Sequence, residues 1–358
     1  MKISDTISLD FDDVLIKPQR TTIDSRSKVS LERDFYFYHS SRCWNGVPII
    51  AANMACVASF DLANALANHK IITCLHKYYT TDELIEYFKT NTANKINYVW
   101  PTIGFSEYDL NKLETLANTI GACPNICIDV ASAYMESFVK FCKKVREIFP
   151  SSIIMAGNVC TSEMTQELII HGGVDIVKTQ IGPGAACTTR MVTGVGYGTL
   201  STCIECGHVA HGLKSDHKQL GLICSDGGCK TSGDVCKAFC AGADFVMLGN
   251  MFAGCDENLG LLKYDEVSYK YFYYGMSTHY AQSVIAKSGI KSYRASEGTT
   301  REIKPKGSVN NVVQEILGGI RSCCAMIGAH SIKDMNKCAE FVRVNKIHSN
   351  FGSANIGE

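Results

Sequence analysis

From residue 47 onward, short runs of apolar residues alternate with longer segments in which apolar residues recur every three or four positions. The runs have the length of strands, and the longer segments, such as 134–148, have the period of amphipathic helices. Strands that alternate with helices are typical of a parallel sheet. Eight runs are predicted to be strands: 47–53, 71–75, 97–103, 125–130, 152–156, 174–178, 222–225 and 243–248.

Some of these runs are apolar at consecutive positions, as in Ile126-Cys-Ile128 and Phe245-Val-Met-Leu248. Such strands are buried on both faces, which happens when helices cover a parallel sheet. Eight strand–helix units therefore predict an α/β fold, a closed (β/α)8 or TIM barrel. An open doubly wound sheet is the alternative, but no Gly-x-Gly-x-x-Gly turn follows the first strand with an acidic residue after the second.

Three segments lie outside this repeat. Residues 1–46 are polar and are predicted to be irregular, and 331–358 form a mixed C-terminal tail. Residues 278–308 follow the last strand and are rich in Lys, Ser, Gly and Thr, which is typical of a mobile flap over a site. We expect one barrel domain spanning 1–358, with these segments as its extension, flap and tail.

Charge and composition limit the partners. The chain has 35 Lys and Arg against 35 Asp and Glu, so no overall field favours nucleic acid or an anionic membrane. No apolar stretch approaches the ~20 residues of a membrane helix, and the N-terminus lacks a signal peptide's apolar core. We expect a cytoplasmic protein whose 18 cysteines are reduced. Cys203-x-x-Cys206 and Cys323-Cys324 lack the second ligand pair of a zinc site.

Polar residues or glycines follow seven of the predicted strands. The C-terminal ends of the strands in a TIM barrel form one face, and that face holds the active site. Each position alone is better explained by a helix cap or by an exposed lysine. Together they predict one shared site, formed by Asn53, Lys77, Asp129, Asn158, Cys187, Asp226 and Gly249.

The loop after the sixth strand, Ile181-Gly-Pro-Gly-Ala-Ala-Cys187-Thr-Thr-Arg190, presents a cysteine. Its glycines and proline end regular structure and let the backbone turn toward a ligand. The guanidinium nearby would favour the thiolate form of a nucleophile. The loop alone is equally compatible with a flexible turn that carries one of many cysteines.

The motif Gly-Pro-Gly-x-x-Cys-Thr-Thr-Arg, with Ser225-Asp-Gly-Gly228 and Gly275-Met-Ser277 downstream, resembles the catalytic loop and nucleotide site of the IMP dehydrogenase and GMP reductase family. The reductase branch is more similar. Leu75-His-Lys-Tyr-Tyr79 leads directly into a predicted helix, where dehydrogenases usually carry CBS domains, and Arg294-Ala-Ser-Glu-Gly298 is similar to the reductase flap. The alternatives are a dehydrogenase without CBS domains and a non-catalytic nucleotide-binding barrel.

The resemblance implies NADPH-dependent conversion of GMP to IMP and ammonia by a homo-oligomer, a tetramer in the family. Cys187 would attack C2 of the purine to give a covalent thioimidate, while Thr189 and Glu297 relay a proton to the leaving amine. Nucleotide contacts would come from Asp226, Gly227, Gly228, Gly249, Asn250, Gly275, Met276, Ser277, Arg294, Ala295, Ser296 and Gly298.

The resemblance also implies a cofactor site and a cation site. A monovalent cation, K⁺, would bind backbone carbonyls of Gly182, Gly184 and Cys187, with Arg190 beside the same loop. Ala185, Asn250 and Ser132 depart from the family pattern, and each lost hydrogen bond to a charged group costs roughly 1.5–3 kcal/mol. NADPH contacts would come from Lys77, Asp129, Val130, Ala131, Tyr293, Ser322, Cys323, Cys324 and Ala325, with Ser25 and Arg26 from a neighbouring subunit.

Overall fold

The computed structural model describes residues 3–344 apart from 91, 288, 290, 291 and 294. Its N-terminal segment contains three strands. They are β1 (Val14–Ile16), β2 (Arg33–Phe37) and β3 (Arg42–Gly46). β2 and β3 pair as an antiparallel hairpin. The prediction of an irregular segment is wrong here, because Phe35, Phe37 and Trp44 of the hairpin are buried rather than exposed.

Eight parallel strands close into a barrel, in which the last strand pairs with the first. The predicted (β/α)8 barrel is confirmed, and each of the eight predicted strands overlaps an observed one. A small hairpin of β10 (Lys214–Ser215) and β11 (Lys218–Gln219) lies outside the barrel. The barrel strands are β4 (Ile49–Ala51), β5 (Ile72–Leu75), β6 (Val99–Ile103), β7 (Ile126–Asp129), β8 (Ile154–Val159), β9 (Ile176–Thr179), β12 (Leu222–Asp226) and β13 (Phe245–Leu248).

The helices that connect these strands begin at well-defined caps. Thr80 and Glu83 form a capping box directly after β5, so the next helix starts with no inserted domain. Similar boxes begin the fourth and ninth helices. The helices are α1 (Phe60–Asn68), α2 (Thr81–Lys89), α3 (Thr92–Tyr98), α4 (Glu107–Ile120), α5 (Glu136–Ile148), α6 (Ser162–Ile170), α7 (Thr189–Thr193), α8 (Thr199–Gly212), α9 (Ser232–Cys240), α10 (Val309–Ile327) and α11 (Met335–Cys338).

The hairpin β2–β3 closes the N-terminal end of the barrel. Phe35 stacks on Phe245 of β13 with ring centroids 4.5 Å apart, and Trp44 packs against the same ring at 5.6 Å. These rings join Trp100 and the other inward-facing strand residues in one apolar cluster. Because this end is filled, a ligand can approach the barrel interior only from the C-terminal ends of the strands.

The segment after the barrel is more regular than a loop. β14 (Lys263–Asp265), β15 (Lys270–Tyr274) and β16 (Thr300–Ile303) form an antiparallel sheet, and β16 belongs to the predicted flap 278–308. Ala281–Ile285 form a turn of π-helix. Near the C-terminus, β17 (Phe341–Arg343) pairs with β1, while residues 345–358 of the predicted tail lie outside the described residues. No helix in the described part of the chain is long and apolar enough to cross a membrane.

Candidate active site

The C-terminal ends of the barrel strands open into a cavity of about 880 Å³. This volume is typical of a small-molecule site, and the position is where TIM barrels hold their active sites. Gly249 does not line the cavity itself but packs against Tyr273, which does: a Cβ at residue 249 would lie 2.9 Å from Tyr273 Oη. The other six predicted strand-end residues line the cavity: Asn53, Lys77, Asp129, Asn158, Cys187 and Asp226.

A thiol, a hydroxyl and a carboxylate form a continuous chain on one wall. The sulfur of Cys187 lies 3.2 Å from Thr189 Oγ1, which donates a hydrogen bond to Glu297 Oε2 at 2.8 Å. Because the one hydroxyl proton is directed at the carboxylate, the thiol is the donor in the first contact. The three residues that were singled out as a group by resemblance are therefore connected in space, across 108 positions of sequence.

Main-chain hydrogen bonds hold Glu297 beside the cysteine loop. The Thr188 N–H donates to the Glu297 carbonyl at 3.0 Å, and the Thr299 N–H donates to the Ala186 carbonyl at 3.0 Å. Cys187 and Gly298 thus form an antiparallel bridge between the loop and the flap. The flap residue and the thiol are positioned by the same short ladder.

Arg190 fixes the ends of the cysteine loop. Its guanidinium donates to the Ile181 carbonyl at 3.1 Å and to the Asp10 carboxylate at 3.2 Å, and it also donates to the Tyr197 carbonyl. Burial alone would raise the pKa of Asp10, but hydrogen bonds from Thr199 and the Arg190 charge outweigh it and lower that pKa. The Arg190 charge is paired with Asp10, so these contacts indicate that it shapes the loop rather than activating the thiol.

A buried lysine connects two carboxylates at the base of the cavity. Lys178 is 2% exposed and forms ion pairs with Asp129 and, at 3.1 Å, with Asp226. Asn158 Nδ2 also donates to Asp226 Oδ2 at 2.8 Å, and Asn53 Oδ1 accepts a long contact from Lys178 at 3.5 Å. Five side chains from five strands or strand ends therefore hold one another in place.

The ion pairs determine the charge of this group. Burial alone would lower the pKa of Lys178, but the charges of Asp129 and Asp226 outweigh it and hold that pKa well above its usual value. Burial would raise the pKa of Asp129, but Lys178 and Lys77 hold it below its usual value. Sequence reasoning missed Lys178, although a lysine inside the apolar run 174–178 was a signal, because a charge in a strand buried on both faces needs a partner.

A model of the IMP dehydrogenase / GMP reductase domain matches residues 8–351. The chain belongs to this family. A GMP reductase of Vibrio atlanticus is 47% identical over 353 residues, which cover 98% of this chain and 99% of that protein. A GMP reductase of Escherichia coli O81 is 46% identical over 354 residues, which cover 98% of this chain and all of that protein.

The residues that the family implies for nucleotide binding divide into two groups. Gly227 and Gly228 both have positive φ angles, of 92° and 83°, which favour glycine in this loop. Gly228, Gly249, Asn250, Ser296 and Gly298 do not line the cavity, and Arg294 lies outside the described residues. Those that line the cavity are Asp226, Gly227, Gly275, Met276, Ser277 and Ala295.

The loop after β13 is held by a lysine that sequence reasoning also missed. Lys306 Nζ donates to the carbonyls of Asn250 and Met251, at 2.6 Å and 3.1 Å. Burial lowers the pKa of Lys306. No local motif signals this role, because Lys306 lies in a polar segment 55 positions away from the loop that it braces.

The residues that the family implies for the cofactor are also split. Lys77, Asp129, Val130 and Ala131 line the same cavity as Cys187. The exposed Ser25 and Arg26 lie at the start of a short 3-10 helix that packs against α10. Helix α10 carries the remaining cofactor residues that the family implies, 322–325. Tyr293 is 73% exposed. Ser322, Cys323 and Ala325 are partly exposed and Cys324 is buried, and none of the four lines the cavity.

The predicted cation loop has the donor type that a monovalent ion needs. Gly182 and Gly184 line the cavity with Cys187, and Gly182 has a φ of 80° that lets the chain reverse there. The Gly184 carbonyl accepts the Cys187 N–H at 3.0 Å, which tightens the loop. Among the residues that the structure describes, no three His, Cys, Asp or Glu side chains are arranged to hold a metal ion.

Proposed function

We propose that the protein reduces GMP to IMP and ammonia with NADPH, through a covalent thioimidate on Cys187. The observation that carries this proposal is the Cys187–Thr189–Glu297 chain in the same cavity as Asp226. The names of the curated relatives support GMP as the substrate. The direct passage from β5 to α2 agrees with a reductase rather than a dehydrogenase with CBS domains.

The hydrogen-bond directions supply the proton that the first step needs. As the sulfur of Cys187 bonds to C2 of the purine, its proton passes through the Thr189 hydroxyl to Glu297. Glu297 then protonates the 2-amino group, the C2–N bond breaks and ammonia leaves. One thiol proton added to one amino group accounts for the ammonia, so this step needs no other acid.

The second half of the reaction frees the thiol. NADPH, when bound, supplies a hydride to C2. The C2–S bond then breaks, IMP leaves, and the Cys187 thiolate regains a proton that Glu297 takes from solvent and passes through the Thr189 hydroxyl. The carboxylate therefore accepts and donates one proton in the first half and delivers a second one to sulfur in the second half, which a position at the end of a hydroxyl relay permits.

Substrate orientation rests on Asp226. A carboxylate can accept hydrogen bonds from both ribose hydroxyls, and Lys178 and Asn158 hold this one in place. Gly227, next along the chain, leaves room for the 5′-phosphate to approach the backbone. The purine would then lie over Cys187, beneath Met276 and Ser277 of the flap side of the cavity.

The residues around the cavity fit a nicotinamide cofactor and a cation. Lys77, Asp129, Val130 and Ala131 would hold the nicotinamide half beside the purine. The surface formed by Ser25, Arg26 and α10 would serve the cavity of an adjacent subunit, with Arg26 suited to a 2′-phosphate. We therefore propose a cytoplasmic homotetramer. The carbonyls of Gly182, Gly184 and Cys187 would bind K⁺, since carbonyl oxygens replace its hydration shell.

A paired assay tests this function. Purified protein is incubated with GMP and NADPH, and separately with IMP and NAD, while the absorbance of the reduced nicotinamide is followed. We expect NADPH oxidation with stoichiometric ammonia and IMP in the first mixture. XMP formation in the second mixture alone would assign a dehydrogenase, and tight GMP binding without turnover in either would assign a non-catalytic barrel.

A further inference from the structure

Helices α9 and α10 approach each other closely at one point and bring three thiols together there. A Cβ on Gly319 of α10 would lie 2.3 Å from Ser232 Oγ at the start of α9, so only glycine allows this approach. One turn further along α9, Cys236 Sγ lies 3.9 Å from the Gly319 carbonyl. Cys240 follows one turn later on the same face, and Cys323 follows Gly319 by one turn on α10.

The helical spacing places Cys323 on the side of α10 that faces the other two thiols. Its sulfur interacts electrostatically with those of Cys236 and Cys240. These two are 2% and 5% exposed, whereas Cys323 is partly exposed, and none of the three is in a disulfide. Interactions with Cys236 and Cys240 outweigh burial and hold the pKa of Cys323 below that of an ordinary cysteine.

The arrangement differs from the two obvious alternatives. It is not a metal centre, because no three side chains in the described residues are placed to hold a metal ion. It is not a property of the adjacent pair Cys323-Cys324 either, since neighbouring helical residues face different directions and Cys324 is fully buried. The chemistry that remains is thiol–disulfide exchange between the two helices.

We propose that Cys323 is a redox-modification site at which a small-molecule disulfide, such as oxidised glutathione, drives formation of a disulfide between α9 and α10. The Cys323 thiolate attacks one sulfur of the oxidant, forms a mixed disulfide and releases one reduced thiol. Cys236 or Cys240 then loses its proton and attacks the Cys323 sulfur, releasing the second reduced thiol. The protein loses two electrons and two protons, and the oxidant gains them.

Trypsin separates the three thiols, which makes the product readable. Cleavage after Lys230, Lys237 and Arg321 places Cys236 in peptide 231–237, Cys240 in 238–263 and Cys323 in 322–333. The reduced full-length protein is treated with oxidised glutathione, alkylated at acidic pH, digested and analysed by mass spectrometry. We expect peptide 322–333 linked to one of the other two through Cys323, and we expect dithiothreitol to reverse the link.

Variants assign the order of events. Cys323→Ser should abolish the linked peptide. In the double variant Cys236→Ser with Cys240→Ser, Cys323 should stop at the glutathione adduct, because no resolving thiol remains. Cys43→Ser, at an exposed cysteine far along the chain, is the control and should leave the link unchanged.

The proposal fails on either of two results. One is an unmodified Cys323 under conditions that glutathionylate the exposed Cys43. The other is a link that tandem fragmentation assigns to Cys324 rather than Cys323. Circular dichroism of each variant shows that it is folded. In the double variant, a glutathione adduct on Cys323 alone is a second sign of correct folding, because a misfolded protein would be modified at many cysteines.

Discussion

The ammonium of Lys178 lies 3.1 Å from the carboxylate of Asp226, at a depth where the lysine has almost no contact with water. The same ammonium pairs with Asp129 on the opposite side. One buried cation therefore connects the carboxylate proposed for the ribose with the carboxylate proposed for the cofactor. Substrate and cofactor halves of the cavity share a single electrostatic support.

Replacing this cation should cost both stability and affinity. Lys178→Met leaves two carboxylates close together without a partner, and breaking a buried pair in this way costs roughly 3–5 kcal/mol of unfolding free energy. Urea denaturation measures this loss, and GMP titration should show weakened binding because Asp226 loses its orientation.

The matched control is Lys140→Met on α5. Lys140 forms an exposed ion pair with Glu136, and such pairs contribute little to stability because solvent screens them. If Lys178→Met proves as mild as this control, the buried network does not support the site.

Removal of the thiol should separate binding from chemistry. Cys187→Ala is expected to abolish NADPH oxidation, because no other group in the Thr189–Glu297 chain can form the thioimidate. GMP should still bind with similar affinity, since Asp226 and the flap residues are untouched. Isothermal calorimetry and the turnover assay test both statements. Substantial residual activity would contradict the covalent role.

The proton relay should act as a unit. Thr189→Val and Glu297→Gln are each expected to lower kcat by about 10²–10⁴-fold, with a smaller change in KM. The double variant should be little worse than either single one, because both break the same chain. Thr193→Val, one turn along α7, is the control: its hydroxyl donates to the Thr189 carbonyl rather than to the relay. Additive losses in the double variant would argue for independent roles.

The packing of the cysteine loop against Gly275, which lies just before the flap, can be tested by substitution. A Cβ on Gly275 would lie 2.6 Å from the Ala186 carbonyl oxygen, which is backbone and cannot rotate away. Gly275→Ala is expected to displace the cysteine loop, lowering stability by about 1–3 kcal/mol and kcat by at least about tenfold. Gly318→Ala on α10, where a Cβ meets no atom within 4 Å, should be neutral or stabilise by up to about 1 kcal/mol. Thermal unfolding and initial rates distinguish the two.

Acid should destabilise the protein partly through His76. Burial, with the nearby charge of Lys112, lowers the pKa of His76 from 6.5 to about 4, so the folded state holds this ring neutral. As the pH falls from 6.5 toward 4, the unfolded chain binds a proton that the folded chain does not, and stability falls by up to about 3 kcal/mol.

His76→Gln should remove this part of the pH dependence. As the pH falls below 6.5, the unfolding free energy of the wild type is expected to decrease more than that of the variant. His171→Gln, at an exposed side chain, is the control. Equal slopes for all three proteins between pH 6.5 and 4 would show that His76 is not held neutral by burial.

The sequence predicted the barrel well because its signals are local. Buried parallel strands are continuous apolar runs, and Ile126-Cys-Ile128 or Phe245-Val-Met-Leu248 show this without any partner. The hairpin β2–β3 was missed for the opposite reason. Its alternating pattern is short, and the burial of Phe35 and Trp44 depends on packing against Phe245, about 200 positions away.

Site residues divide in the same way. The motif around Cys187 was visible, and its resemblance to a family brought Glu297 with it. Lys178, Lys306 and the pairing of Arg190 with Asp10 were not recognised, because each depends on a partner that only the folded chain brings near. Charges inside apolar runs are the signal that sequence reasoning should weigh more heavily.

The bridge between Cys187 and Gly298 joins the reactive sulfur's own backbone to the segment that covers it. Any opening of the flap would break these two main-chain bonds and change the position of Cys187. We therefore expect a bound purine to favour the state in which both bonds are formed, so that solvent or an unrelated electrophile would meet a thiol that is not aligned for reaction.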